Sequence, residues 1–84
     1  MKKFEIIVKD CGQQVLKRTI SNEEDLLQSV KFNKKSEDVN LHDIHLYARD
    51  IMHEKFNYGP YRVTVREIQG GEVHFEFVGK RNRR

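Results

Sequence analysis

Residues 41–56, LHDIHLYARDIMHEKF, hold three of the chain's four histidines. Imidazole can ligate a metal, move a proton near neutral pH or meet a phosphate, and spacing decides between these uses. On a helix at 100° per residue, His42, Arg49 and His53 fall within about 40° of one another, with His45 at the border of that face. His42 and His45, three apart, can share an ion. His53 lies about 16 Å beyond His42 at 1.5 Å per residue, too far to join it, and Arg49 would repel a cation placed between them. A zinc site needs three or four protein ligands, and no paired spacing of Cys, Asp or Glu completes the set. The expectation is no bound metal and a solvated stripe of His42, Arg49 and His53. As a partner-binding surface, that stripe would meet acidic side chains or phosphate, more strongly below about pH 6.5, where its histidines charge.

The other reactive side chains assemble no mechanism. Cys11, the single cysteine, stands beside Gly12 in DCGQQ and reads as a turn residue. The glycines of DCGQQ and IQGGE do not lead from a strand into a helix, so neither stretch is a phosphate cradle. Asp50 and Glu54, four apart, read as an ordinary solvated helix face. No catalytic set and no cofactor is expected, so the chain reads as a protein that binds and not as an enzyme.

Basic residues give the clearest functional signal. The chain ends GKRNRR, and its net charge is +3. Without Lys80, Arg81, Arg83 and Arg84, 12 basic residues remain against 13 acidic ones, a net −1. The body is close to neutral and the basic character sits at the end of the sequence, which argues against nucleic acid wrapped over the whole surface. The tail reads either as a solubilising end or as a phosphate contact.

Eighty-four residues make one domain, residues 1–79, followed by the basic tail 80–84. At 37% hydrophobic and 35% charged the composition is globular. No stretch nears the roughly 18 apolar residues of a membrane span. The opening MKKFEIIVKD starts like a leader, but Glu5, Lys9 and Asp10 break its apolar run. One cysteine permits no internal disulfide, and a cytoplasmic setting is expected.

The elements that must position these residues follow from periodicity. KFEIIVK alternates Phe4, Ile6 and Val8 against Glu5, Ile7 and Lys9, the pattern of a strand with one buried face. QVLKRTI is a second strand. A two-residue Cys11-Gly12 loop would set Val15 opposite Val8. A three-residue loop instead turns Leu16 and Ile20 to the core and leaves Arg18 pointing inward, and that register is preferred. Ser21 and Glu24 form a capping box for a first helix reaching about Asn33 and burying Leu26, Leu27 and Val30. Asn40 caps a second helix that stops near Asn57, before Gly59-Pro60. YRVTVREI and EVHFEFV make a final hairpin, where a three-residue loop, Gln69 to Gly71, would pair Val65 with Phe75 and Val63 with Phe77. The expected fold is α+β in ββααββ order: a four-stranded antiparallel sheet with both helices on one face.

In that register the open face shows Arg62, Thr64, Arg66, His74, Glu76 and Val78, with Glu76 opposite Thr64. Phe4, Tyr61, Phe75 and Phe77 share the buried parity, which disfavours base stacking on the open face. The leading expectation is a small accessory protein that associates weakly with nucleic acid, or with a nucleoprotein complex. It would do so through Lys80, Arg81, Arg83 and Arg84, assisted by Arg62, Arg66 and Lys17. The alternative is a compact protein-binding module or inhibitor, whose partner docks on the open sheet face or on the histidine helix. No membrane partner is expected, and the sequence specifies no oligomeric state.

Overall fold

The computed structural model describes residues 2–30, 35–56 and 60–78. In chain order these form β1 (Phe4–Asp10), β2 (Gln13–Ile20), α1 (Glu23–Gln28), a 3-10 turn (Ser36–Asp38), α2 (Leu41–Lys55), β3 (Tyr61–Glu67) and β4 (Glu72–Phe77). The four strands make one antiparallel sheet in the order β2-β1-β3-β4. Alternation supplies its core face: Phe4, Ile6 and Val8 of β1 and Val63 and Val65 of β3 are fully buried. Against them α2 buries Ile44, Ala48, Ile51 and Met52, one stripe of a 3.6-residue repeat. No helix among the described residues is long and apolar enough to cross a membrane.

The two helices are unequal, which departs from the simple ββααββ expectation. Helix α2 packs across β1, β3 and β4, whereas α1 packs on the 3-10 turn and sends Leu26 into the core. Helix α1 ends at Gln28, well before Asn33. Ser29 closes it: its N–H donates to the carbonyls of Asp25 and Leu26, and its buried hydroxyl donates to Leu26 O at 2.6 Å. A serine that bonds the preceding turn in this way competes with further helix. Leu27, expected inside, is 36% exposed. The cap is Asn22 and not Ser21, with Asn22 Oδ1 accepting from Asp25 N at 2.8 Å. At α2 the expected cap holds. Asn40 Oδ1 accepts from Asp43 N at 3.1 Å and Asp43 accepts from Asn40 N at 3.0 Å, a reciprocal capping box.

The first hairpin combines features of both registers drawn from the sequence. Cys11 and Gly12 have φ of 52° and 85°, the paired positive values of a two-residue type I′ turn, and Asp10 faces Gln13. Beyond it the ladder slips by one residue, so that Lys9 faces Gln14 but Val8 faces Leu16. Val15 is the extra residue of a bulge and is 46% exposed. The turn is short, yet Leu16, Arg18 and Ile20 take the core side. Arg18 reaches over the apolar surface and donates to Tyr47 Oη of α2 at 2.8 Å.

The last hairpin keeps the expected parity and shifts the expected register by two residues. Glu67 N donates to Gly71 O at 2.9 Å and Gly70 N to Glu67 O at 3.0 Å, so the loop is Ile68 to Gly70. Val65 then pairs with Val73, Val63 with Phe75 and Tyr61 with Phe77. Hydrophobic alternation repeats every two residues, so both registers bury the same face. Only the turn's own hydrogen bonds separate them.

Candidate functional site

The sheet turns one face to α2 and the other to solvent, and three rows of side chains cross the outer face. The first runs Thr19, Glu5, Arg66, Glu72; the second Lys17, Ile7, Thr64, His74; the third Gln14, Lys9, Arg62, Glu76. Glu5 is the hub. Its side chain is only 12% exposed, with Arg66 Nη2 donating to Oε1 at 2.9 Å and Lys17 Nζ 3.5 Å from Oε2. The Arg66 hydrogen bond holds the Glu5 carboxyl below its ordinary value; burial opposes this, and Lys17 adds to it.

The structure therefore places two of the three folded residues proposed for phosphate contact, Lys17 and Arg66, on one carboxylate. Arg62 lies at the far end of the same face, opposite Lys9 and Glu76. Glu76 is not opposite Thr64, because the register shift puts His74 there. Val78 follows β4 and is 61% exposed. Lys80, Arg81, Arg83 and Arg84 lie outside the described residues.

Thr64 Oγ1 lies 3.0 Å from His74 Nδ1, and His74 Nε2 lies 3.2 Å from Glu72 Oε2. Carboxylate, imidazole and hydroxyl stand in the order that activates a nucleophile in acyl transfer. Here, however, the Glu72 and His74 side chains are about half exposed, at 47% and 55%. The contacts tie β3 to β4 on this face and orient the imidazole.

The histidine stripe occupies the opposite layer of the molecule. His42, Arg49 and His53 are exposed, as their spacing required. His45 lies edge-on to Phe75, with ring centroids 4.8 Å apart, and stacks on His42 at 6.2 Å. His53 meets Phe77 edge-on at 5.1 Å. Burial holds the His45 imidazole below its ordinary value, and Arg49 and then His42 add to the effect. Among the described residues no group of three or more His, Cys, Asp or Glu could hold a metal ion.

Cys11 is exposed at the tip of its turn. A cleft of about 420 Å³ between β2, α1 and α2 is lined by Arg18, Ser29, Tyr47 and His53 among others. A second, of about 510 Å³, lies between Lys2, Lys3, Glu37 and the β3–β4 turn. The contacts made by Glu5, Thr64 and Tyr47 are those that sequence reasoning missed. Alternation put Glu5 on the open face, but its partners follow from strand register: Arg66 from the pairing of β1 with β3, and Lys17 from the bulged register of β1 with β2. Comparison with known protein families, characterised proteins and solved structures finds no match for this chain.

Proposed function

We propose that the chain is a compact protein-binding module that docks its partner on the open face of the sheet. The observation that carries this reading is the convergence of Lys17 and Arg66 on Glu5. Across the three rows, Lys9, Lys17, Arg62 and Arg66 stand against Glu5, Glu72 and Glu76, which leaves an excess of one positive charge. Phosphate binding gains most of its affinity from cations free to displace counterions. A patterned surface of both signs instead favours a partner with complementary charges, where electrostatics set register and specificity. Ile7 and Thr64, side by side on the two central strands in the middle row, supply the less charged centre that protein interfaces favour. The histidine helix, with His42, Arg49 and His53, is the alternative docking surface of the same class.

A second reading is favoured by the tail. Four cations in the last five residues turn a net −1 into +3, and they would give weak, phosphate-mediated association with nucleic acid. One experiment addresses both readings. A partner is captured from the native source after nuclease treatment, using the native chain, Arg62→Glu and a variant with the four tail cations changed to Gln. Docking on the sheet requires nuclease-resistant capture that survives tail neutralisation and is lost in Arg62→Glu. Capture abolished by nuclease or by tail neutralisation favours the nucleic-acid reading.

A further inference from the structure

The two edges of the sheet are built differently. At β2 the bulge at Val15 breaks the ladder, and Lys17 and Arg18 lie within the strand; a bulge and a strand lysine both discourage further pairing. At β4 the pairing with β3 runs without a shift from Tyr61↔Phe77 to Arg66↔Glu72, and the strand EVHFEF holds no lysine and no proline. Among the described residues no strand lies beyond it.

The hydrogen-bond phase of this free edge follows from its turn. Glu67 N donates to Gly71 O, so 67–71 is a hydrogen-bonded pair, and in an antiparallel ladder such pairs alternate. The backbone groups of Val73, Phe75 and Phe77 are therefore spent on β3. Those of Glu72, His74 and Glu76 point outward, and an antiparallel neighbour must pair through these positions.

We propose that β4 is a self-association edge, joining two copies of this chain as antiparallel neighbours about a two-fold axis at Phe75. Two arrangements of β4 against itself are in phase and centred on the strand. One places His74 opposite its mate and Glu72 opposite Glu76 twice, bringing like charges together. The other sets His74 against Glu76 of the second copy and Glu76 against its His74, with Phe75 beside Phe75 and Val73 beside Phe77. In this second arrangement Glu72 faces Val78, the most exposed of the large hydrophobic residues among those described. Avoiding the two Glu72–Glu76 repulsions selects the second arrangement, in which each His74 faces a carboxylate acceptor, and it covers the apolar edges of Val73 and Phe75, which are only partly buried in the single chain. The result is one eight-stranded sheet, with both copies of α2 on the same side and the open faces continuous. This inference goes beyond the docking reading and does not depend on it, because it concerns the edge and needs no other protein.

Sedimentation equilibrium of the full chain tests it. The interface is small, so dissociation is expected on the order of tens of micromolar, seen as a mass rising from one chain toward two with concentration. His74→Glu sets two carboxylates opposite one another, and Glu76→Lys removes the acceptor that His74 faces, so each should stay monomeric alone. Mixed together they should form a heterodimer, because the glutamate introduced at position 74 of one copy then faces the lysine introduced at position 76 of the other. Circular dichroism checks that each variant is folded, and the mixing experiment needs only that each alone is. The rejected arrangement responds in the opposite sense: Glu76→Lys would tighten it by replacing the Glu72–Glu76 repulsion with attraction. A native chain that stays monomeric to millimolar concentration overturns the proposal. So does a dimer that Glu76→Lys leaves unchanged or strengthens.

Discussion

Glu5 and Arg66, 61 positions apart in the chain, meet at 2.9 Å on the outer face of the sheet, and Lys17 approaches the same carboxylate from the other side. This contact joins β1 to β3 and, through Lys17, to β2. It also sets two of the face's cations against one carboxylate, which offsets one of their two charges. The Glu5 carboxyl is shielded on a strand whose alternate residues are fully buried, so its position is fixed by the core beneath it.

Changing Glu5 to Gln should cost about 1 kcal/mol at pH 7, a charge-assisted bond discounted for the exposure of Arg66 and Lys17. Because the folded carboxyl titrates below its unfolded value, its contribution is full above the ordinary glutamate range and is lost as the pH falls through the lowered value. Urea unfolding of both chains at pH 7 and pH 3 should show the difference at pH 7 shrinking at pH 3. A constant difference would mean that ionisation of Glu5 has no part in it.

Arg18 lies over apolar surface because the β2 bulge turns it there, and Tyr47 Oη accepts its hydrogen bond. Tyr47→Phe leaves the guanidinium short of a partner and should cost about 1–2 kcal/mol. Arg18→Met keeps the length of the side chain and removes the charge, and should be close to neutral. Thermal unfolding of both variants checks the pair. A large loss in Arg18→Met would show that the arginine's charge is itself stabilising.

Cys11 takes a left-handed backbone conformation that Asn and Gly adopt more readily. Cys11→Asn should stabilise the hairpin by about 0.5–1 kcal/mol. Gly12→Ala should destabilise it despite the open space around Gly12, because its φ of 85° strains any side chain. Denaturation midpoints that move the other way would contradict the type I′ assignment.

His45 carries a pH dependence of opposite origin to that expected for the exposed stripe. Its imidazole titrates below the ordinary value in the folded chain. Between that value and about 6.5, the unfolded chain takes up a proton that the folded one refuses, so stability rises with pH through this window and is full above it. Melting temperatures between pH 5 and 7.5 should show this slope, and His45→Gln should reduce it. An unchanged slope would assign it to other groups.

Much of the fold was legible because it rests on local patterns. Alternation marked the strands and the core face, and Asn40 marked the start of α2. Adjacent glycines marked the β3–β4 turn, yet a period-two pattern cannot distinguish registers two residues apart, and that one offset moved Glu76 away from Thr64. The end of α1 was missed because Ser29 stops it through a side-chain bond and not through glycine or proline. The site was less legible than the fold. Its residue types were plain in the sequence, but the Glu5–Arg66 contact exists only through β1–β3 pairing, between distant parts of the chain, and Lys17 joins it through a bulged register.

The claim that the folded face is not a phosphate-binding surface is tested most directly by titrating fluorescent single- and double-stranded oligonucleotides at several salt concentrations. The native chain is compared with the variant whose Lys80, Arg81, Arg83 and Arg84 are changed to Gln. Any binding by the native chain should be weak, with Kd on the order of 10⁻⁴–10⁻⁶ M at physiological salt and a log–log slope of roughly −3 to −4 on duplex DNA, reflecting four tail cations. The neutralised variant should not bind even at low salt, since Glu5 already engages Lys17 and Arg66. Salt-dependent binding that persists in the neutralised variant, and falls with Arg62→Gln or Arg66→Gln, would contradict the account and place nucleic acid on the sheet.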